Sequence, residues 1–337
     1  MSLDDRLARL VTTGVPGTVV AAGRDQTITT AAAGVADRDQ GTPLTASHRF
    51  PVGSVSKTFV ACVVLQLAAE DRLRLDDPLG KHLPGLVPDD GEIAIRQLLN
   101  HTSGLPDYVP PLLTRLREEP EHQWKPTDLV ALSNGTPRGA PGAWSYSNTN
   151  YVVLGLLIEA LTERPVEHAL RARVAEPLGL ESTALAHGGE ARGYLEPSNP
   201  LLPSTGTELI NVARFGSSWA WPSVISTAED VARFLGSLLR GELLPSELLD
   251  EMLDGVESDW VESDRYGLGI EQVSSLLDVS ASPYEPFWGH LGFGLGHTVV
   301  ALATRDGRRQ GVVMVNQGFV SENVWRELAD LVWALFM

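Results

Sequence analysis

Hydrophobic positions along the chain fall into two regimes. Val55 to Ala69 ("VSKTFVACVVLQLAA") and Thr149 to Thr162 ("TNYVVLGLLIEALT") are apolar on nearly every side, which predicts two buried helices. "PVEHALRARVAEPLGL" has the one-sided pattern of an amphipathic helix and ends near Gly179. "STAEDVARFLGSLLRG" opens on a capping signal, Ser226 or Thr227 with Glu229 or Asp230 three residues on, and closes on glycine. At the start, Leu3, Leu7 and Leu10 share one side of a short amphipathic helix.

Strand-like patterns sit at the two ends. "GTVVAAG" and "TITTAAAGVA" read as strands around the turn "RDQ". In the last third, "RYGLGIEQV", "PFWGHLG" and "GHTVVALATRDGRRQGVVMVNQG" read as alternating antiparallel strands with a hairpin at "RDGRR". A last helix, "SENVWRELADLVWALF", follows. Between the ends, "RLRLDDPLGKHLPGLVP" is loop-like, and "IAIRQLLNHTSGLPDY" opens a helical, loop-rich section reaching about residue 214. The pattern predicts an α+β fold, an antiparallel sheet flanked by helices. Its sheet domain is expected from residues 1–70 and 215–337, with a mostly helical insertion at 71–214 and an active site at the junction.

Composition narrows the function. The 337 residues carry a net charge of −17, which disfavours nucleic acid and anionic membrane surfaces as partners. No run approaches the roughly 20 apolar residues of a membrane span, and the N-terminus has no signal-peptide pattern, so a cytoplasmic location is expected. Cys62 is the one cysteine, which leaves no internal disulfide and no multi-cysteine metal site. Its apolar neighbours point to a buried, inert thiol. The histidines show no metal-ligand spacing, and no cofactor is expected.

Of 26 Lys and Arg residues only Lys57, Lys81 and Lys125 are lysines, and Lys57 heads a buried helix. A buried lysine can lose its proton, whereas arginine cannot. Ser54 precedes Lys57 by three residues, so the two share a helix face. The pair suits a nucleophile and its base, although a capping serine with a snorkelling lysine explains the same spacing. "YSN" at Tyr146 to Asn148 precedes the second apolar helix. Tyr146 there is a candidate proton relay, its pKa lowered by Lys57, and Asn148 a candidate for holding a substrate amide. In "GHLGF", His290 starts a strand, Gly292 would let substrate approach its edge, and the N–H of Phe293 would join that of Ser54 as an oxyanion hole.

In this order the three motifs resemble the serine β-lactamase and penicillin-binding-protein superfamily. The tyrosine in the second motif and the histidine in the third are similar to the branch of class C β-lactamases, serine DD-carboxypeptidases, esterases and D-aminopeptidases. Supporting stretches are "FPVGSVSKTF", "IRQLLNHTSGLPDY", "YSNTNYVVLGLLIE", "SVISTAEDVARFL" and "YGLGIE", and the resemblance covers about residues 15 to 335. It implies a β-lactamase/transpeptidase-like fold and an acyl–Ser54 intermediate. Lys57 and Tyr146 become the proton-transfer pair, with Asn148 and His290 in support. His101, in "LLNHTSG", is implied to be structural.

The chain departs from that family in the third motif. Leu291 and Phe293 stand where carboxypeptidases and β-lactamases carry hydroxyl residues that help hold a substrate carboxylate. Glu271 follows "YGLGI" where the resemblance implies a cation. An acidic group there would repel a carboxylate and attract an amine, unless it points to solvent. The expected pocket takes in Leu291, Gly292, Trp144, Trp219, Trp221, Phe293 and Glu271. The function expected is a serine hydrolase or acyl transferase acting on a small-molecule or peptide substrate: an ester, an amide or a D-amino-acid derivative. It should be a poor β-lactamase and a poor D-Ala-D-Ala carboxypeptidase. A biosynthetic transacylase, a peptide-cyclising enzyme, a carboxypeptidase proper and a non-catalytic binder are the alternatives.

Overall fold

The computed structural model describes residues 1–118, 122, 124–186, 189–197, 199, 208–212, 223–259, 265–276, 280–281 and 286–337. Nine strands form one antiparallel sheet. In chain order they are β1 (Gly17–Arg24), β2 (Thr27–Asp37), β3 (Thr42–Pro43), β4 (Val256–Glu257), β5 (Arg265–Tyr266), β6 (Glu271–Val273), β7 (Phe287–Phe293), β8 (Thr298–Ala303) and β9 (Arg309–Val315). They lie in the order β3-β2-β1-β9-β8-β7-β6-β5-β4. The two ends of the chain meet at the β1–β9 seam, where Val19 pairs with Met314 and Ala21 with Val312.

Five helices frame this sheet and its site: α1 (Leu3–Thr12), α2 (Ser56–Ala69), α3 (Asn148–Thr162), α4 (Ala228–Leu239) and α5 (Glu322–Phe336). Thr227 caps α4 by accepting the N–H of Asp230, as its sequence signal predicts. On one face of the sheet Val20, Val300, Leu302, Val313 and Val315 pack with Leu7 and Leu10 of α1 and with α5. On the other face Val19, Ala21, Val299, Ala301, Val312 and Met314 join α2, α3 and α4. Covering both faces removes the apolar–polar alternation expected of the last third. Val299–Ala303 of β8 and Val312–Val315 of β9 are unbroken apolar runs because successive side chains are buried on opposite faces.

The two apolar helices, α2 and α3, pack against each other. The amphipathic segment after them is not one regular helix. Residues Val166–Leu170 are α-helical, Arg171–Ala175 form a π-turn and Glu176–Leu178 resume the α-form. Pro177 has no N–H to give the carbonyl four residues back, which belongs to Arg173. That oxygen accepts instead from Gln66 Nε2 of α2 at 3.3 Å. The turn then ends on Gly179 with φ 63°, as its sequence predicts. Among the described residues no helix is long and apolar enough to cross a membrane.

Candidate active site

Ser54 sits in the single 3₁₀ turn Gly53–Val55 that leads into α2. Two glycines let this turn meet strand β7 backbone to backbone. Gly53 has φ 55°, and a Cβ there would lie 3.0 Å from the nitrogen and oxygen of Phe293. A Cβ on Gly292 would lie 2.2 Å from Val52 O. Gly292 therefore serves the approach of the Ser54 turn to the strand. The turn is braced from its other side, since Ser223 Oγ accepts the N–H of Gly53 and Ser56 Oγ accepts that of Val224.

Two groups converge on the Ser54 hydroxyl. Lys57, one helical turn on, places Nζ 2.9 Å from Oγ, and the Tyr146 OH donates to the same Oγ at 2.7 Å. Lys57 Nζ also donates to Asn148 Oδ1 at 2.8 Å, and it lies 4.8 Å from the centre of the Tyr146 ring. Asn148 is in turn held by Asp107, whose carboxylate accepts its Nδ2 at 3.0 Å and its backbone N–H at 3.2 Å. Burial lowers the Lys57 amine to about 8, while the Asp107 and Glu271 charges pull it back up. Such a lysine is poised to take and return a proton near neutral pH.

Tyr146 behaves differently from the expectation that Lys57 lowers its pKa. Burial raises it well above 10, and the hydrogen bond to Ser54 offsets this only in part. Tyr146 is therefore a protonated phenol, in keeping with the hydrogen bond that it donates to Ser54. The "YSN" segment is positioned by His101, which is fully buried and has a left-handed φ of 61°. His101 Nδ1 accepts the N–H of Ser147 at 3.2 Å and Nδ2 of Asn150 at 3.0 Å, and its ring lies 4.3 Å from that of Tyr146. Burial and the Lys57 charge hold this imidazole neutral.

His290 lies behind the reacting groups. It is 1% exposed, and burial together with the Lys57 charge takes it down to about 3. Its Nδ1 faces two acceptors, Leu291 O at 2.7 Å and Glu271 Oε1 at 3.1 Å, so Nδ1 carries the proton. Nε2 then accepts from Tyr266 OH at 2.9 Å. Glu271 does not point to solvent. It is 2% exposed and borders the same cavity as Ser54.

That cavity measures about 1020 Å³ and is bordered by Ser54, Lys57, Asp107, Tyr146, Asn148 and Glu271 among others. Leu291 and Phe293 border it too, but both side chains also pack into the cluster under α5, where the Phe293 ring lies 5.7 Å from Trp325. Trp144 lies over the buried aromatic group, 6.4 Å from His101 and 6.2 Å from Tyr266. Trp219 and Trp221 are outside the described residues. Asp107 is the site residue that the sequence reading passes over. Its signal was an acid in "GLPDY", a stretch otherwise apolar.

Burial drives the Cys62 thiol up to about 12, in keeping with an inert core residue. Among the described residues no group of three or more His, Cys, Asp or Glu side chains is placed to hold a metal ion.

A family model described as beta-lactamase matches residues 3–333. Penicillin-binding protein 4 of Amycolatopsis lactamdurans is 30% identical over 302 residues, covering 84% of this chain and 70% of that protein. A D-aminopeptidase of Brucella anthropi is 34% identical over 200 residues, covering 55% of this chain and 38% of that protein. The chain thus spans well under half the length of the second relative. A D-stereospecific amidohydrolase from Streptomyces sp. superposes with a TM-score of 0.78 at 31% identity, covering 97% of each chain. The fold is that of β-lactamases and transpeptidases, and the chain belongs to the beta-lactamase family, within the superfamily of serine β-lactamases and penicillin-binding proteins.

Proposed function

We propose that this protein is a serine hydrolase working through an acyl–Ser54 intermediate on an ester, an amide or a D-amino-acid derivative. The observation that carries the reading is the Ser54 hydroxyl set 2.9 Å from a buried lysine amine and 2.7 Å from a half-buried phenol. Neutral Lys57 accepts the Ser54 proton as Oγ attacks the substrate carbonyl. The N–H groups of Ser54 and Phe293 hold the resulting oxyanion. Tyr146 gives its proton to the departing amine or alkoxide, and the Lys57 ammonium restores it. Water then takes the acyl group from Ser54 by the same transfers in reverse.

The substrate class follows from charge. Asp107 and Glu271 put two carboxyl groups at the cavity beside the reacting serine. They oppose a free carboxylate next to the scissile bond and favour an amine. Leu291 and Phe293 offer no hydroxyl to replace that carboxylate's partners. The D-aminopeptidase and D-stereospecific amidohydrolase relatives support an aminoacyl substrate.

The first test is a fluorophosphonate probe read by intact mass. Wild type gains one adduct, on Ser54, and Ser54→Ala gains none. Lys57→Ala and Tyr146→Phe label about 10²–10⁴ times more slowly. Normal labelling of Lys57→Ala would break the mechanism. Turnover of D-amino-acid amides, p-nitrophenyl esters and D-Ala-D-Ala peptides then tests the substrate class. Ordinary efficiency on the D-Ala-D-Ala peptides overturns it.

A further inference from the structure

We propose that Asp107 is a positioning residue for the acylation of Ser54, acting through the Asn148 side-chain amide. The inference rests on the acyl–Ser54 reading and adds a member to its machinery. An amide can present either its oxygen or its nitrogen to a neighbour. A carboxylate only accepts, so Asp107 fixes the choice. Its Oδ2 accepts Asn148 Nδ2 at 3.0 Å and its Oδ1 the same group at 3.3 Å. The Asn148 oxygen is thereby turned to Lys57 Nζ at 2.8 Å. The reverse orientation would set an NH₂ against an ammonium, donor against donor. The sequence Asp107–Asn148–Lys57–Ser54 thus has the logic of an orienting acid behind a base and a nucleophile.

Asp107 is itself firmly placed. Its Oδ1 also accepts the N–H of Asn148, the first residue of α3, at 3.2 Å. Ser147, the N-cap, makes no side-chain capping bond, so this carboxylate from a distant loop serves the helix end instead. The loop is fastened to the helix on both sides of Asp107. Thr149 Oγ1 donates to Pro106 O at 2.6 Å and accepts the N–H of Tyr108 at 3.1 Å. The Val109 N–H reaches Asp107 Oδ1 at 3.2 Å.

The charge of Asp107 reaches Lys57 as well. The titratable groups around Lys57 are Tyr146, Tyr151 of α3, His101, His290 of β7, Glu271 of β6 and Asp107. Burial keeps both tyrosines protonated and both histidines neutral. Asp107 and Glu271 are the two that hold the Lys57 proton on. Acylation needs neutral Lys57, so its rate climbs as pH rises through the lysine pKa. Without the Asp107 charge the lysine releases its proton more readily, and the acid limb moves to lower pH.

The experiment is the fluorophosphonate labelling rate at Ser54 from pH 5 to 10, for wild type, Asp107→Asn and Asp107→Glu. In Asp107→Asn the plateau falls about tenfold or more, and the acid limb moves down by about half a pH unit or more. A purely structural loss would lower the plateau and leave the limb in place. Asp107→Glu keeps the charge, so its limb stays within a few tenths of wild type while the displaced carboxylate lowers the plateau. Wild-type plateau and limb in Asp107→Asn overturn the inference. Should near-ultraviolet circular dichroism show that Asp107→Asn does not fold, Asp107→Glu decides, because a wild-type plateau in that variant overturns the positioning role. Absence of label on wild-type Ser54 overturns the acyl–Ser54 reading, and this inference with it.

Discussion

Lys57 joins function and stability at one side chain. Its folded-state pKa of about 8 lies below the ordinary 10.5 because water is excluded around it. Between those two values the unfolded chain holds more protons than the folded one. The contribution of this group to stability therefore rises with pH across the window from about 8 to 10.5. Below it, the folded state keeps a charge in a dry site at an energetic cost. Lys57→Met removes that charge, so its stability relative to wild type should be most favourable near pH 7 and decline toward pH 10. The full swing is on the order of 3 kcal/mol. Urea unfolding of the two proteins at pH 7 and pH 10 measures it, and a pH-independent difference would contradict the lowered pKa. Tyr146 answers to the same burial in the opposite sense. As an acid it is driven to its protonated form, so burial favours the neutral state of both neighbours.

At the scale of elements, the site depends on how closely β7 approaches the Ser54 turn. A methyl at position 292 would meet Val52 O at 2.2 Å, and neither backbone has room to yield. Gly292→Ala is expected to lower stability by about 1–3 kcal/mol and to slow Ser54 labelling at least tenfold as the turn is pushed from the strand. Thermal melts and labelling rates report the two effects, and a variant with unchanged labelling would show that the contact is dispensable. The helices α2, α3, α4 and α5 and the hairpins were legible because their signals are local: runs, caps and turn residues. Ser54, Lys57 and Tyr146 were legible because their spacing and surroundings form a pattern. What was not legible is what depends on packing across the chain. The role of Asp107 exists only where its loop meets α3, and the duty of Gly292 only where β7 meets Val52. The π-turn at Arg171–Ala175 stems from one proline whose effect is relieved by Gln66 on another helix. Covered on both faces, β8 and β9 lost the alternation by which an antiparallel strand is usually known.

For the whole molecule, the sheet divides the apolar interior into two clusters: the apolar residues of α2 and α3, the helices that carry Lys57 and Asn148, lie in one, and Leu291 and Phe293 of β7 pack with the other. Leu10 of α1 is fully buried in the cluster on the far face, together with α5. Phe59 of α2 is buried on the near face, two residues beyond Lys57, and stacks on Phe234 of α4 with ring centres 3.7 Å apart. Truncating either side chain leaves a cavity that tightly packed neighbours fill only in part, at a cost of about 3 kcal/mol. The consequences for chemistry should differ. Leu10→Ala loosens the packing of α1 on α5 and leaves α2, α3 and the Ser54 turn in place. Its labelling rate at Ser54 should stay within about twofold of wild type at temperatures where both are folded. Phe59→Ala frees the first turns of α2 to shift on α4. A misplacement on the order of 1 Å there slows acylation about a hundredfold. Urea unfolding paired with fluorophosphonate labelling of the two variants separates stability from positioning. Equal slowing of labelling in both would mean that the sheet transmits strain between its faces and that the two clusters act as one core.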